Sequence, residues 1–214
     1  MNNSEFTSPP SVVVAYHSGW GHTEVLAAAV ADGARTTGAR TRVVPVDRIT
    51  ESDWSALDEA DAIVFGSPTY LGDVSAGFRT FAEATSRRCS EGRWRDKVAA
   101  GFTNSGAMSG DKLHSLVSLS IFAAQHHMHW VNLGLTAGWN SSTASREDSN
   151  RLGFWLGAGA QTNVDLPPNA MSESDIRTCA VLGERVARLA AQLRRGRAEE
   201  PGRSVPGVNS AALL

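Results

Sequence analysis

Residues 12–23, with the sequence VVVAYHSGWGHT, decide the fold prediction. An apolar run, typical of a strand buried on both faces, leads into a short loop of hydroxyl groups and glycines that has no Lys or Arg. Ser18 and Thr23 supply hydroxyl donors, and Gly19 and Gly21 allow tight turning. A helix that begins near Thr23 would point its free N–H groups at the same place. This arrangement predicts a phosphate held by the backbone.

Two further loops repeat the pattern. The apolar run 62–66 leads into residues 67–72, SPTYLG, and the run 98–102 leads into residues 103–106, TNSG. In an open α/β sheet, ligands bind outside the carboxyl ends of the strands, where the strand order reverses. We therefore expect one ligand to contact all three loops.

Strands and helices alternate along the chain, which indicates βαβ units, a parallel sheet and right-handed crossovers. We predict an α/β three-layer sandwich with a flavodoxin-like, five-stranded parallel sheet in the order 2-1-3-4-5. The predicted strands are 12–16, 41–46, 62–66, 98–103 and 130–133. The predicted helices cover 23 to about 33, then 53–59, 75 to about 86, 111–125 and 172–194.

The chain has 214 residues and 42% hydrophobic residues, enough for one buried core. We expect a flexible arm at 1–11, a single domain at 12–194 and a disordered tail at 195–214. Residues 137–168 read as an insertion in that domain.

Composition argues against several classes of partner. The formal net charge of −2, without a basic stripe, does not suit nucleic acid. The uncharged stretch 113–145 is interrupted by His, Gln and Asn, so a membrane span is not expected. Two isolated cysteines, Cys89 and Cys179, and a polar N-terminus favour a reducing, cytoplasmic setting. We predict no metal site, because His126, His127 and His129 lack an accompanying carboxylate or thiolate.

The first loop does not match the common nucleotide motifs. It lacks the Lys-Ser/Thr pair of a Walker P-loop and the third glycine of a dinucleotide-binding loop. A nucleotide cofactor with a single phosphate, such as FMN, requires neither the Lys-Ser/Thr pair nor the third glycine. Taken alone, the same loop also suits an ordinary helix cap.

The order of the motifs resembles the WrbA-like NAD(P)H:quinone oxidoreductases and related flavodoxin-family FMN reductases, over about 12–193. The stretches that carry the resemblance are 16–24 (YHSGWGHTE), 66–75 (GSPTYLGDVS), 78–81 (FRTF), 102–106 (FTNSG), 150–153 (NRLG) and 156–161 (LGAGAQ).

The resemblance implies FMN as cofactor and NADH or NADPH as reductant. It implies that the phosphate is held by Ser18, Trp20, Gly21, His22 and Thr23. It also implies that the edge of the isoalloxazine ring is wrapped by Pro68, Thr69, Tyr70, Leu71 and Gly72. The other side of the ring would be covered by Thr103, Asn104, Ser105 and Gly106.

His126 aligns with a histidine that lies near the flavin in the family, where it could hydrogen-bond a substrate. The alternative is a packing histidine that never meets substrate. The chain departs from the family pattern at His127, where glycine is usual, and at Cys89, where a tryptophan lies close to the ring. Trp94 or an aromatic residue of 139–155 could replace that tryptophan.

The resemblance implies hydride transfer from NAD(P)H to FMN, then transfer of two electrons to a quinone or related aromatic acceptor. A flavin reductase or a metabolite-tailoring reductase is an alternative with another acceptor. A flavodoxin-type carrier of single electrons is an alternative of another class. The family's dimers and tetramers imply a homo-oligomer, with 137–161 as the expected contact.

Overall fold

A computed structural model describes residues 8–199 of the chain. Residues 1–7 and 200–214, which hold most of the predicted arm and tail, lie outside the described residues. Two boundaries differ from the expectation. The first strand already begins at Ser11, and the last helix continues to Glu199, so residues 195–199 are helical.

The described part of the chain contains seven strands and six helices. The strands are β1 (Ser11–Tyr16), β2 (Arg40–Pro45), β3 (Ala62–Tyr70), β4 (Asp73–Val74), β5 (Val98–Ser105), β6 (His129–Trp130) and β7 (Ala158–Gln161). The helices are α1 (His22–Arg35), α2 (Glu51–Glu59), α3 (Ala76–Ala84), α4 (Ser86–Ser90), α5 (Lys112–Gln125) and α6 (Glu173–Glu199). Two short 3-10 turns cover Val46–Arg48 and Pro168–Ala170.

The predicted α/β fold class is confirmed. The sheet runs β2-β1-β3-β5-β6, which is the predicted strand order once the small strand β4 is left out. The position of the predicted fifth strand is shared by two short strands on the same edge of β5. β6 pairs with Val98 and Ala99, whereas β7 pairs with residues 102–105. The run AGAQ of β7 lacks the β-branched residues by which strands are recognised, so the sequence placed it in an insertion.

Apolar residues cover both faces of the sheet, as expected for parallel strands between helices. Val12 and Val14 of β1 belong to the core on the side of α1 and α6, whereas Val13 and Ala15 belong to the opposite core. All four side chains are at most 3% exposed. The alternation follows from the two-residue period of a strand.

Helices α1 and α6 approach each other through glycine. A Cβ atom on Gly33 would lie 1.9 Å from the carbonyl oxygen of Ala180, and one on Gly183 would lie 1.9 Å from that of Val30. Neither position accommodates a side chain at this helix separation. The contact fixes α1, whose N-terminus forms part of the site described next.

Two strands extend past their predicted ends toward that site. β3 continues to Tyr70 and turns back through Leu71 and Gly72 into β4, so the predicted second loop is a hairpin. Both turn residues have positive φ, 50° and 85°. β5 likewise continues to Ser105.

Candidate functional site

A cavity of about 700 Å³ opens at the carboxyl ends of β1, β3 and β5. All three predicted loops contribute to it, which places their residues around one space. The lining residues are Ser18, Gly19, Trp20, His22, Thr23, Pro68, Thr69, Tyr70, Leu71, Asn104, Ser105, Gly106, Thr162 and Val164.

The first loop presents unpaired backbone donors. Ser18 Oγ accepts from the backbone N–H of Gly21 at 3.0 Å and of Glu24 at 3.4 Å, which holds the loop against the start of α1. The N-cap residue of α1 is Gly21, which has no side chain to cap the helix. Within the described part of the chain, the N–H groups of His22 and Thr23 have no hydrogen-bond partner. Free donors at a helix N-terminus favour an anion.

The hairpin between β3 and β4 forms a second wall. Leu71 at its tip is fully exposed and Tyr70 is 42% exposed. Below the tip, Thr69 Oγ1 lies 2.7 Å from both Thr103 Oγ1 and Ser115 Oγ. These buried hydroxyl groups link the base of the hairpin to β5 and α5.

The segment after β7 forms a further wall of the cavity, which was not predicted from the sequence. Thr162 and Val164, which follow β7, line the cavity, and Thr162 donates its N–H to the carbonyl of Ser105 at 3.2 Å. His22 Nε2 lies 2.9 Å from the carbonyl oxygen of Leu166, which ties the same segment to α1. Recognising 158–161 as a strand would have identified this segment as another loop at a strand end.

Eleven of the fourteen residues predicted to bind the cofactor line the cavity. The other three, Gly21, Gly72 and Thr103, are neighbours of lining residues. Gly21 is the N-cap of α1, Gly72 completes the hairpin turn, and Thr103 is buried beneath Thr69. Contact of these three residues with the cofactor stays a prediction.

His126 is not brought together with the other predicted residues. It ends α5 near the start of β5, whereas the cavity lies at the end of that strand. Its ring is 2% exposed, with centroids 4.4 Å from Trp94 and 4.8 Å from Phe122. Burial, and secondarily His127, lowers the pKa of His126 to about 4. We therefore replace the predicted ligand contact by the packing alternative.

The candidates for the missing family tryptophan also lie apart from the cavity lining. Trp94 is fully buried in the core, and Cys89 Sγ lies 3.2 Å from the carbonyl oxygen of Gln125. Trp139 and Trp155 are 50% and 60% exposed.

FMN fits the cavity in size and in chemistry. A volume of about 700 Å³ is in the range of small-molecule sites. The lining, as far as the structure describes the chain, contains no Asp, Glu, Lys or Arg. Backbone N–H groups and hydroxyl groups can hold a phosphate, and aromatic and proline side chains can cover a flat ring.

The sequence model of the family described as NADPH-dependent FMN reductase matches residues 12–138. The chain belongs to this family. This membership confirms the prediction of an FMN-binding, flavodoxin-like oxidoreductase that uses NAD(P)H as reductant.

Individual relatives carry different names. The flavodoxin FldP of Pseudomonas aeruginosa is 43% identical over 85% of this chain and 97% of its own length. An NAD(P)H dehydrogenase (quinone) of Archaeoglobus fulgidus is 31% identical over 85% and 98%. Among solved structures, a WrbA-like flavodoxin protein from Agrobacterium tumefaciens superimposes with a TM-score of 0.68 at 38% identity, covering 86% of this chain and 98% of that one. The predicted WrbA-like resemblance is confirmed.

No helix within residues 8–199 is both long enough and apolar enough to cross a membrane. The same residues contain no group of three His, Cys, Asp or Glu side chains that could hold a metal ion.

Proposed function

We propose that this protein transfers hydride from NAD(P)H to bound FMN and then passes two electrons to a quinone or related aromatic acceptor. The observation that carries the proposal is the open, uncharged cavity with apolar side chains at its mouth. Trp20, Leu71 and Val164 line it with exposed fractions of 79%, 107% and 88%. Exposed apolar side chains of this kind favour the binding of flat aromatic reactants.

Bound FMN would supply the redox chemistry, because its ring accepts hydride and releases electrons in pairs or singly. The phosphate would be held by the free N–H groups at the start of α1 together with the hydroxyl groups of Ser18 and Thr23. His22 and Trp20 would enclose the same end of the cavity. Because the N-cap residue Gly21 has no side chain, the phosphate would satisfy the N–H groups of His22 and Thr23, which have no partner within residues 8–199.

The hairpin, residues 68–72, and the loop 103–106 would hold the ring between them. Backbone N–H groups along these two segments can offset negative charge on the ring. The arrangement requires no side-chain acid, in agreement with the uncharged lining.

A flavodoxin-type carrier of single electrons is the second candidate. It is favoured by the relative named flavodoxin FldP, at 43% identity. Carriers that dock onto basic partners gain from a strongly acidic surface, and a formal net charge of −2 supplies little long-range attraction. A flavin reductase or tailoring reductase would use the same cavity and differ only in the acceptor.

The test begins with the chromophore of the purified protein, released by heat and identified. The loaded protein is then assayed with NADH and NADPH against a panel of quinones, free flavins and small aromatic acceptors. We expect parallel lines in double-reciprocal plots of initial rate against reductant at several acceptor concentrations, because the oxidised reductant leaves before the acceptor binds. The acceptor with the highest kcat/KM distinguishes a quinone reductase from the alternative reductases.

Redox titration distinguishes the enzyme from the carrier. The enzyme is expected to take up two electrons in one step, without a stable radical. Two well-separated one-electron steps, together with no oxidation of NADH or NADPH, would establish the carrier instead.

We further propose a homodimer or homotetramer in which residues 137–161 contribute to the contact. Support comes from the exposed rings of Trp139 and Trp155 on this segment. A reducing, cytoplasmic setting also remains a proposal, supported by the two free cysteines.

A further inference from the structure

Lys112, the first residue of α5, is a completely buried lysine. Its ammonium nitrogen Nζ lies 2.7 Å from Ser105 Oγ and 2.6, 3.1 and 3.2 Å from the carbonyl oxygens of Ala107, Met108 and Ser109, so its three N–H groups are shared among four acceptors. The side chain therefore anchors the 105–109 loop to the first turn of α5.

Within residues 8–199, no carboxylate hydrogen-bonds this ammonium group. The acid that acts on it electrostatically is Asp175 of α6, and both carboxylate oxygens of Asp175 already accept from Arg151, at 2.9 and 2.7 Å. The Arg151–Asp175 pair neutralises itself, which leaves the charge of Lys112 without a counter-charge. Burial lowers the pKa of Lys112 to about 8, with Asp175 opposing and Arg151 adding to the shift. The group therefore stays mainly protonated at neutral pH.

The loop held by Lys112 is a wall of the cofactor cavity. Ser105 and Gly106 line the cavity, so the ammonium group is one hydrogen bond away from the lining. Because the lining has no acidic side chain, the charge is not offset there. Charges act more strongly in a protein interior than in water.

We propose that Lys112 is a positioning residue of this site, which fixes the 105–109 loop and supplies positive potential that favours the reduced state of bound FMN. The inference rests on the proposed use of the cavity by FMN. Acceptance of hydride adds two electrons and one proton to the flavin, so the flavin gains one negative charge. A nearby buried cation stabilises that charge and raises the midpoint potential.

Lys97 offers a matched control. It is 9% exposed, and its Nζ also donates to backbone carbonyls, those of Asp58 and Ala60 at 2.7 and 2.5 Å. It precedes β5, at the end of the sheet opposite the cavity. The Lys97→Met variant thus loses a buried, carbonyl-bound ammonium group without altering the cavity.

The experiment measures the two-electron midpoint potential of FMN in wild type, Lys112→Gln, Lys112→Met and Lys97→Met. Gln keeps hydrogen-bond donors but loses the charge, and Met loses both. We expect the potential to fall in both Lys112 variants and to stay at the wild-type value in Lys97→Met. Equal potentials in all four proteins, or an equal fall in Lys97→Met, would overturn the electrostatic role.

Two further measurements test the role in positioning. In the protein without FMN, amide hydrogen exchange of residues 105–110 should be faster in Lys112→Met and unchanged in Lys97→Met. We also expect the Kd for FMN to rise about tenfold in Lys112→Met, which corresponds to a loss of about 1.4 kcal/mol. Unchanged exchange in Lys112→Met would contradict the role in positioning.

Failure of this inference is distinguishable from failure of the proposed function. If wild type binds no FMN, the proposed function fails with it. If wild type binds and reduces FMN while the Lys112 variants match it in potential and exchange, only the role of Lys112 is refuted.

Discussion

His22 Nε2 lies 2.9 Å from the carbonyl oxygen of Leu166 and joins the first turn of α1 to the segment that follows β7. A carbonyl oxygen only accepts, so Nε2 carries the proton that forms this bond. The bond ties the start of α1 to the segment that supplies the wall formed by Thr162 and Val164.

Replacement of His22 by Ala is expected to weaken FMN binding about threefold to tenfold. The reason is the loss of one partly exposed hydrogen bond, worth about 0.5–1.5 kcal/mol, which positions the wall after β7. Fluorescence titration of the unloaded protein with FMN measures the change. His129→Ala is the control, because His129 is exposed on β6 and far from the cavity. Equal affinities for the two variants would contradict the prediction.

Gly19 and Tyr70 form a pair that a double mutant can test. A Cβ atom on Gly19 would lie 2.5 Å from the Tyr70 hydroxyl oxygen, whereas the next nearest atom of the ring is 3.5 Å away. Gly19→Ala should therefore displace the Tyr70 ring from the cavity wall and raise the Kd for FMN. Removal of the hydroxyl in Gly19→Ala/Tyr70→Phe should restore binding to that of Tyr70→Phe alone. If the double variant binds no better than Gly19→Ala, the contact does not control the wall.

Gly183 is expected to be essential to the packing of α6 on α1. In Gly183→Ala the new Cβ atom would lie 1.9 Å from the backbone carbonyl oxygen of Val30, so the helices must separate. We expect a loss of at least about 3 kcal/mol in the free energy of unfolding, at the upper end of overpacking effects. Urea denaturation measures the loss. Gly196→Ala, at a position in α6 with open space around it, should leave stability unchanged or slightly higher.

His126 is expected to make stability fall on acidification. The Thr85 hydroxyl donates to the carbonyl of Ala82, so His126 Nε2 must donate to Thr85 Oγ1, and the buried Nδ1 remains without a partner. Protonation at Nδ1 would bury a charge without an acceptor, and the pKa is accordingly lowered from 6.5 to about 4.

Proton binding by the unfolded and folded chains sets the direction in which stability changes with pH. Below pH 6.5 the unfolded chain takes up a proton at this histidine, whereas the folded chain stays neutral until about pH 4. The contribution is therefore present above pH 6.5 and is lost as the pH falls from 6.5 to about 4. Between pH 7 and pH 5 wild type should lose about 2 kcal/mol more than His126→Phe in urea denaturation. Equal slopes in wild type and His126→Phe would refute the assignment.

The two exposed tryptophans of the segment 137–161 provide a test of assembly. If Trp139 and Trp155 lie in a contact between copies, Trp139→Ala/Trp155→Ala should lower the mass measured by light scattering. Trp20→Ala, which removes an exposed tryptophan at the cavity mouth, is the control and should leave the mass unchanged. A monomeric wild type would refute the oligomer itself.

The sequence predicted the parts of the fold that depend on local pattern. Buried runs such as 12–16 and 62–66 identified parallel strands, and their order placed three loops around one cavity. Strand ends were harder to place, because β3 and β5 continue through polar residues as far as Tyr70 and Ser105. Pairing with neighbouring strands, rather than intrinsic preference, maintains the extended backbone there.

The remaining differences have tertiary causes. Strand β7 begins with three small residues, Ala-Gly-Ala, that fit close to β5, and a Cβ atom on nearby Gly157 would lie 2.3 Å from the carbonyl oxygen of Gly101. Its loop was therefore missed together with Thr162 and Val164. For His126, a single sequence cannot distinguish a ligand contact from a packing role, because both require a histidine in an apolar segment.

The division of one sheet position between β6 and β7 has a practical consequence. The chain leaves the edge of β5 after Trp130 and rejoins it at Ala158, so both anchor points are held by the same strand. Val131, Leu133 and Arg151 within this interval are packed into the fold, whereas residues 139–148 are mostly exposed. This exposed stretch is thus an entry point for protein engineering, where new recognition surfaces can be attached beside an intact redox scaffold.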